Sequence, residues 1–302
     1  MRTVYLGTSD FAATVLRRLT ASPHRPALVV TPPDRRQGRG RKVAPPPAAI
    51  AAEELGLELL QAENVNDDEA LARIRAAQPE AVVVCAFGQL IREPLLSEYP
   101  MLNVHPSLLP RWRGAAPIER AIMAGDEATG VCVMQLTEGL DSGPVALREE
   151  TPISPDEDFG ALASRLADLG GELLVRALDL QAEGKLEFAE QDEDGVTYAE
   201  KIESAERHLD PKRPAAELAA KVRALTPHVG AYLELAGDER LGVREARVVA
   251  PDRDLPPGEL AERDGALLLG TDDGALQLEL VQPAGGKPMP ADAYLRGHPL
   301  PE

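Results

Sequence analysis

The sequence predicts an α/β chain: a Rossmann-like, doubly wound parallel sheet followed by a smaller antiparallel β-barrel of the oligonucleotide-binding (OB-like) kind. Three observations predict it. Strand-like and helix-like runs alternate from Thr3 to Ala86, an apolar stripe at helical spacing runs from Phe159 to Leu180, and the last third of the chain changes to short strand-like runs divided by Asp-Gly turns.

Taken in order, Thr3 to Leu6 reads as a strand, Gly7 to Ser9 as a turn, and Asp10 onward as a helix ending near Ser22 and Pro23. Ala27 to Thr31 is the next strand, Ala48 to Leu55 and Asp67 to Ala77 are helices, and the apolar run Ala81 to Ala86 is a further strand. Repeated βα units of this kind form a parallel sheet, whose ligands sit at the carboxyl ends of the strands. Between Asp158 and Leu180, the residues Phe159, Leu162, Leu166, Leu169, Leu173 and Leu180 make one apolar helix face. Residues 1–184 are therefore expected to form the first domain. Residues 185–204 are mostly polar and charged, with an apolar island at Val196 to Tyr198, and read as a linker. Residues 205–302 are expected to form the second domain. It opens with a helix carrying Ala215, Leu218, Val222 and Leu225 on one face, followed by strands at Tyr232 to Leu235, Val243 to Ala250, Ala266 to Gly270 and Ala275 to Gln282. Asp264-Gly265 and Asp273-Gly274 mark the turns between the last three.

Composition excludes several function classes. The two cysteines, Cys85 and Cys132, each lie in an apolar run, so neither a disulfide framework nor a thiolate metal site is implied, and no metal is expected. No apolar stretch approaches the roughly 20 residues that cross a bilayer. Met1 runs directly into a strand without a signal core, so a cytoplasmic chain free of the membrane is expected; a monomer is a separate expectation. The first turn, Gly7-Thr-Ser-Asp-Phe-Ala, lacks the G-x-G-x-x-G spacing of a dinucleotide site. The net charge of −18 opposes non-specific attraction to polyanions. Distribution matters more than the sum, because exposed charges more than about 10 Å apart are largely screened. The segment Asp34 to Lys42 concentrates Arg35, Arg36, Arg39, Arg41 and Lys42 around Gly38 and Gly40. From its residues alone it is a solvated surface loop whose glycines and like charges favour mobility.

Chemistry concentrates in Met101 to Ile118, MLNVHPSLLPRWRGAAPI, where a short strand sets Asn103 and His105 two residues apart on one face. A second loop, Gly139-Leu140-Asp141-Ser142-Gly143, offers one carboxylate between glycines. An Asn, a His and an Asp together suit acyl transfer to an amine, which creates a tetrahedral oxyanion and an ammonium that must lose a proton. Asn103 would donate to the oxyanion and help place the amine; His105 would stabilise the oxyanion or pass a proton; Asp141 would orient the imidazole and accept the proton leaving nitrogen. No side-chain nucleophile is needed.

The strings Asn103-Val-His105-Pro-Ser-Leu-Leu-Pro-Arg-Trp-Arg-Gly-Ala-Ala-Pro117-Ile118 and Gly139-Leu-Asp141-Ser-Gly143 resemble the signature of the folate-dependent formyltransferases, and the likeness extends over nearly the whole chain. The resemblance implies that Asn103, His105 and Asp141 are the catalytic group and that 10-formyltetrahydrofolate is the formyl donor. It implies a folate pocket built from Phe87, Gly88, Gln89, Leu90 and Ile91, from Ser107, Leu108, Leu109 and Pro110, and from Leu140, Ser142 and Gly143. The basic segment Asp34 to Lys42 is similar to a family insertion that meets the acceptor stem of initiator methionyl-tRNA, with Arg39 at its most informative position. The implied reaction is transfer of the formyl group to the α-amino group of that tRNA for translation initiation. Thr197-Tyr-Ala-Glu-Lys201-Ile, Ala224-Leu-Thr-Pro227 and Leu280 to Lys287 resemble further family landmarks. Lys201, Lys212 and Arg213 are the remaining cations expected to face tRNA, although Ala205 to Glu302 carries 12 basic and 17 acidic residues.

Other acceptors stay open at this point. Glycinamide ribonucleotide or an amino-sugar nucleotide would use the same catalytic group, water in place of an amine would make a hydrolase, and a dead scaffold would leave an RNA-binding module. A glycinamide enzyme leaves the second domain without purpose, and an amino-sugar enzyme does not explain five basic residues within Asp34 to Lys42.

Overall fold

The structure is a computed structural model that describes residues 1–37, 42–235, 239–249, 255–298 and 300. The chain forms two compact units. One contains Met1–Gly114, Thr129–Pro152 and Ala163–Tyr198, and the other contains Ala115–Ala128, Ile153–Leu162 and Ala199–Glu302.

In the first unit, β1 (Thr3–Gly7), α1 (Asp10–Thr20) and β2 (Pro26–Thr31) open the alternation. The short strands β3 (Arg35–Gln37) and β4 (Lys42–Ala44) precede α2 (Pro47–Glu54), β5 (Leu59–Gln61), α3 (Asp68–Ala76) and β6 (Ala81–Cys85). Then come α4 (Leu95–Glu98), β7 (Met101–His105) and β8 (Arg113–Gly114); α5 (Pro117–Ala124) follows in the second unit. The chain continues through β9 (Ala128–Gln135), β10 (Val145–Pro152), the long α6 (Phe159–Ala182) and β11 (Tyr198–Ala199).

The main sheet has the order β10-β9-β7-β6-β1-β2-β5. β1 pairs in parallel with both β2 and β6, and the pairs β2–β5 and β6–β7 are also parallel. The chain thus builds outward from β1 on one side, then returns to build β6 and β7 on the other. That reversal opens a crevice at the carboxyl ends of β1 and β6, the place where open α/β sheets bind ligands. Antiparallel β9 extends the sheet beyond β7.

Strand alternation decides what each face buries. Val4 and Leu6 of β1, Leu28 and Val30 of β2 and Val82 and Val84 of β6 share one core with Leu71 and Ile74 of α3. Tyr5, between Val4 and Leu6, points the other way, and its hydroxyl donates to the Ala12 carbonyl of α1 at 2.7 Å. α1 starts where the sequence places it, because the Ser9 side chain caps the Ala12 N–H.

The structure adds three features that the sequence reading does not contain. The ends of the basic segment are not irregular: β3 and β4 pair antiparallel, Arg35 opposite Ala44 and Arg36 opposite Val43, and Gln61 Nε2 donates to Asp34 Oδ1 at 2.8 Å. Arg39 and Arg41 lie outside the described residues. β10 carries Arg148, Glu149 and Glu150, and its charge hides a strand that sits at the sheet edge, where charged residues belong. α5 occupies a stretch to which the sequence reading assigns no element. It begins on Pro117, a residue suited to the first helical turn, and ends on Gly125 with φ +71°.

In the second unit, α7 (Ala215–Leu225) precedes β12 (Ala231–Glu234), β13 (Arg240–Val249), β14 (Leu260–Arg263), β15 (Ala266–Gly270), β16 (Ala275–Gln282), β17 (Met289–Pro290) and α8 (Ala291–Gly297). The strands form one antiparallel sheet in the order β12-β13-β16-β15-β14, with β17 on β16. Leu218, Val222 and Leu225 of α7 pack on Leu233, Val243, Leu267, Leu276 and Val281 of that sheet. The β14–β15 turn uses Asp264 and Gly265 at φ +51° and +78°, the left-handed geometry a two-residue hairpin requires. α5 belongs to this unit because Arg120 holds Glu206 at 2.6 Å and the Glu200 carbonyl at 3.0 Å, while Glu119 meets His228 at 3.0 Å.

Among the described residues no helix is long and apolar enough to cross a membrane. Cys85 and Cys132 are wholly buried, and burial pushes their thiols up to about 12 and about 11. Both thiols therefore stay protonated and shielded near neutrality. Native protein at pH 8 is expected to leave Ellman's reagent unreacted, with both thiols titrating only after guanidinium unfolding; reaction of either in the native state would contradict this burial.

Candidate active site

The site forms at the end of β7. Val104 lies on the α6 face, where a Cβ added to Gly170 would crowd it, so Asn103 and His105 face the opposite way. Both are buried, at 8% and 4% exposure. β7 is clamped between β6 and β9, with Asn103 in register with Val84 and Met134 and His105 with Cys132, so neither side chain can shift along the sheet. Among the described residues the Asn103 amide has no hydrogen-bond partner, which leaves its donors for a ligand.

The chain then turns sharply. The Ser107 N–H donates to the His105 carbonyl at 2.9 Å and Ser107 Oγ donates to the Arg111 carbonyl at 2.7 Å. This brings the Trp112 carbonyl to 2.9 Å from His105 Nε2. A carbonyl only accepts, so Nε2 carries the hydrogen and Nδ1 is the ring position left for proton exchange. Nδ1 lies 3.7 Å from Asp141 Oδ2. That is ion-pair distance but too long for a hydrogen bond, so the two groups face each other with room to draw together.

Asp141 sits at φ +45°, a conformation costing a non-glycine residue on the order of 1–3 kcal/mol unless its surroundings enforce it. They do so from several directions. The Gly114 N–H donates to Asp141 Oδ2 at 2.8 Å, a bond to a charged group worth about 1.5–3 kcal/mol. Gln191 Nε2 donates to the carbonyls of Asp141 and Gly143, each at 2.8 Å, adding roughly 0.5–1.5 kcal/mol apiece. Together these bonds outweigh the backbone strain. A Cβ on Gly143 would overlap the Gln135 carbonyl, so only glycine lets the loop return this close to β9.

Sequence reasoning missed the segment that organises the loop. Residues 189–198, expected as linker, pack within the first unit. Ala189 exchanges backbone hydrogen bonds with Val145 at 2.8 and 2.9 Å, Gln191 grips the Asp141 loop, and Thr197 accepts the Trp112 N–H on Oγ1 and the Arg113 N–H on its carbonyl, both at 2.9 Å. The apolar island at Val196 to Tyr198 was the one local signal of this attachment.

The remaining expected residues are placed as follows. Phe87 and Ile91 have their side chains buried in the α3-side core. Gln89 stitches its loop down by accepting the Val65 N–H and donating to the Ala62 carbonyl. Thr8, just past β1, donates to the Phe87 carbonyl at 2.7 Å across the crevice, and Gly88 turns at φ +76°. Leu90 and Leu140 are exposed apolar side chains. Ser107 is wholly buried, Leu108 abuts Gly130, and Leu109 packs with Cys132 and Met134. Pro110 lines a cavity of about 350 Å³ with Val145 and Gln191, and Ser142 Oγ sits against Gly139. Arg35, Arg36 and Lys42 are exposed on the β3–β4 hairpin, and Lys201 and Lys212 are also exposed. Arg213 is exposed and paired with Glu217 at 2.9 Å. Among the described residues no three His, Cys, Asp or Glu side chains gather as a metal-ligand set.

An unpartnered amide donor, an imidazole of fixed tautomer and a clamped carboxylate at the end of a switch-point sheet form a candidate site whose chemistry suits acyl or proton transfer. Residues 1–178 match the formyl transferase family, and residues 201–299 match the formyl transferase C-terminal domain. The chain belongs to the formyl transferase family. It is 45% identical over 302 residues to a methionyl-tRNA formyltransferase of Halorhodospira halophila, covering 99% of this chain and 97% of that protein. A methionyl-tRNA formyltransferase of Ruegeria pomeroyi is 44% identical over 304 residues, covering 100% and 99%. Among solved structures, HypX from Aquifex aeolicus in complex with tetrahydrofolic acid superposes with a TM-score of 0.67 at 20% identity, over 98% of this chain and 47% of that one. The chain thus spans about half the length of HypX. An N-formyltransferase from Helicobacter canadensis, in complex with folinic acid and dTDP-3-aminofucose, gives a TM-score of 0.67 at 13% identity over 92% and 98%. At these identities the structural likenesses establish the fold alone.

Replacing Gly143 by Ala forces the Asp141 loop off β9. The variant is expected to lose about 1–3 kcal/mol of stability in denaturant titrations while keeping its far-ultraviolet circular dichroism; unchanged stability would refute the close approach.

Proposed function

We propose that this chain transfers the formyl group of 10-formyltetrahydrofolate to the α-amino group of initiator methionyl-tRNA, giving formylmethionyl-tRNA in the cytoplasm. The observation that carries the reading is the end-to-end likeness, at 44–45% identity, to proteins named methionyl-tRNA formyltransferase, which includes the second domain as well as the catalytic one. The exposed cations Arg35, Arg36 and Lys42 on the hairpin, with Lys201 and Lys212, support an RNA acceptor on a chain whose overall charge is negative. The catalytic group comes from a single chain, which is consistent with a monomer.

The geometry supports a task for each residue. Asn103 directs its free amide donors at the oxygen that gains charge when the amine attacks the formyl carbon. His105, held by Trp112 through Nε2, presents Nδ1 toward Asp141 and can relay a proton through that atom. Asp141 holds Oδ2 on the Gly114 N–H, and Oδ1 has no hydrogen-bond partner among the described residues, so it can accept the proton released by the attacking nitrogen. Leu90 and Leu140 are exposed next to otherwise polar loops and suit the apolar face of a pterin ring, and the donor would also meet the backbone around Gly88 and Ser142. Direct transfer needs no covalent enzyme intermediate.

The test is formyl transfer from 10-formyltetrahydrofolate to initiator methionyl-tRNA, run beside uncharged tRNA, glycinamide ribonucleotide and an amino-sugar nucleotide. Formylmethionyl-tRNA is expected as the sole formylated product, and free formate or another formylated amine would overturn the acceptor. Asn103→Ala is expected to lower kcat about 10²- to 10³-fold, the usual effect of removing one oxyanion donor, with the fold intact; full activity would remove Asn103 from the mechanism.

A further inference from the structure

We propose that Gln191 is a positioning residue for Asp141 and that Arg113 holds it in that role. The inference rests on the functional reading only in giving Asp141 a part in formyl transfer; the clamp itself is read from the structure.

A glutamine amide offers two N–H donors and two acceptor lone pairs, and here all four are used. Nε2 donates to the carbonyls of Asp141 and Gly143 at 2.8 Å each, and Oε1 accepts from Arg113 Nε at 3.0 Å and Nη2 at 2.8 Å. The network admits one orientation. Turned by half a rotation, the amide would set its oxygen against two carbonyls and its NH₂ against a guanidinium. Arg113 therefore fixes the direction of Gln191, and Gln191 fixes the backbone on both sides of Ser142.

The next residue in the chain, Gly114, holds the other end of Asp141 by donating to its carboxylate at 2.8 Å. One two-residue strand thus grips Asp141 twice, at the carbonyl through Gln191 and at the carboxylate directly. Gln191 is itself set in place by Ala189, two residues earlier, whose two backbone bonds with Val145 tie it to the edge of the main sheet. A left-handed Asp141 has easier backbone conformations to relax into, and a change of φ re-aims the carboxylate that now lies 3.7 Å from His105 Nδ1. Gln191 reaches Asp141 only through its backbone, so it acts by aiming the carboxylate and not by exchanging a proton.

Gln191→Glu separates the clamp from packing. It keeps the length and shape and pairs more strongly with Arg113, but it cannot donate to either carbonyl. Arg113→Met is the second variant; it leaves Gln191 in place but unheld, and a smaller loss in the same direction is expected. The experiment compares single-turnover formyl transfer, with enzyme in excess, for the wild type, both variants, Asp141→Asn and the double variant Asp141→Asn/Gln191→Glu. Gln191→Glu is expected to slow transfer about 100-fold, the scale of a 1 Å misplacement of a reacting group. The double variant is expected to be no slower than Asp141→Asn alone. Wild-type rates in Gln191→Glu, or the same fold-loss again in the Asp141→Asn background, would overturn the proposal, because the residue would then act independently of Asp141. A wild-type chain that formylates no amine overturns the functional reading instead. Amide hydrogen exchange across residues 139–144 then decides the clamp: faster exchange in Gln191→Glu supports it and unchanged exchange defeats it.

Discussion

The site depends on holding one carboxylate, that of Asp141, in a backbone conformation it would not choose, opposite an imidazole whose tautomer is already fixed. Neither half suffices alone. His105 is settled by β7, held between β6 and β9, and by the Trp112 carbonyl, which one tight turn brings to it. Asp141 arrives from a separate loop about one strand pair away and has no regular structure to define it. Its position comes from three hydrogen bonds that join four residues, Gly114, Asp141, Gly143 and Gln191, and their combined strength exceeds the cost of the left-handed backbone.

The sheet explains why these parts meet where they do. β1 lies at the point where the winding reverses, and the loops after β1 and β6 face each other across the resulting crevice, joined by Thr8 and Phe87. β7 stands next to β6, so its last two polar residues open beside that crevice. The proposed donor pocket and the proposed catalytic group are adjacent because consecutive strands of one parallel sheet end at the same edge. Antiparallel β9 runs away from that edge, from Cys132 opposite His105 to Gln135 opposite Leu102, and the loop that follows it must double back, with Gly143 against Gln135, to bring Asp141 to His105.

Much of this was legible in the sequence, for physical reasons. Strands with both faces buried read as apolar runs, as at Ala81 to Cys85, and the stripe of α6 kept its helical period over 24 residues. Asn103 and His105 were visible because strand spacing alone puts them on one face. The elements that stayed hidden are those whose partners are remote. β10 takes its identity from being a charged sheet edge. Gln191 sits in a run of acidic residues with no period, and its partners Arg113 and Asp141 lie 78 and 50 positions away. No local pattern encodes a saturated amide. The hairpin β3–β4 was read by charge, which overrode the pairing capacity of its ends.

The central claim is that Trp112 fixes His105 with hydrogen on Nε2, leaving Nδ1 to face Asp141. Nitrogen-15 NMR of histidine-labelled protein, with His105 assigned by comparison with a His105→Asn sample, tests it most directly. The account predicts that the neutral ring carries its hydrogen on Nε2 and leaves Nδ1 unprotonated. A neutral form carrying hydrogen on Nδ1 would contradict it, because the Trp112 carbonyl could not then accept from the ring.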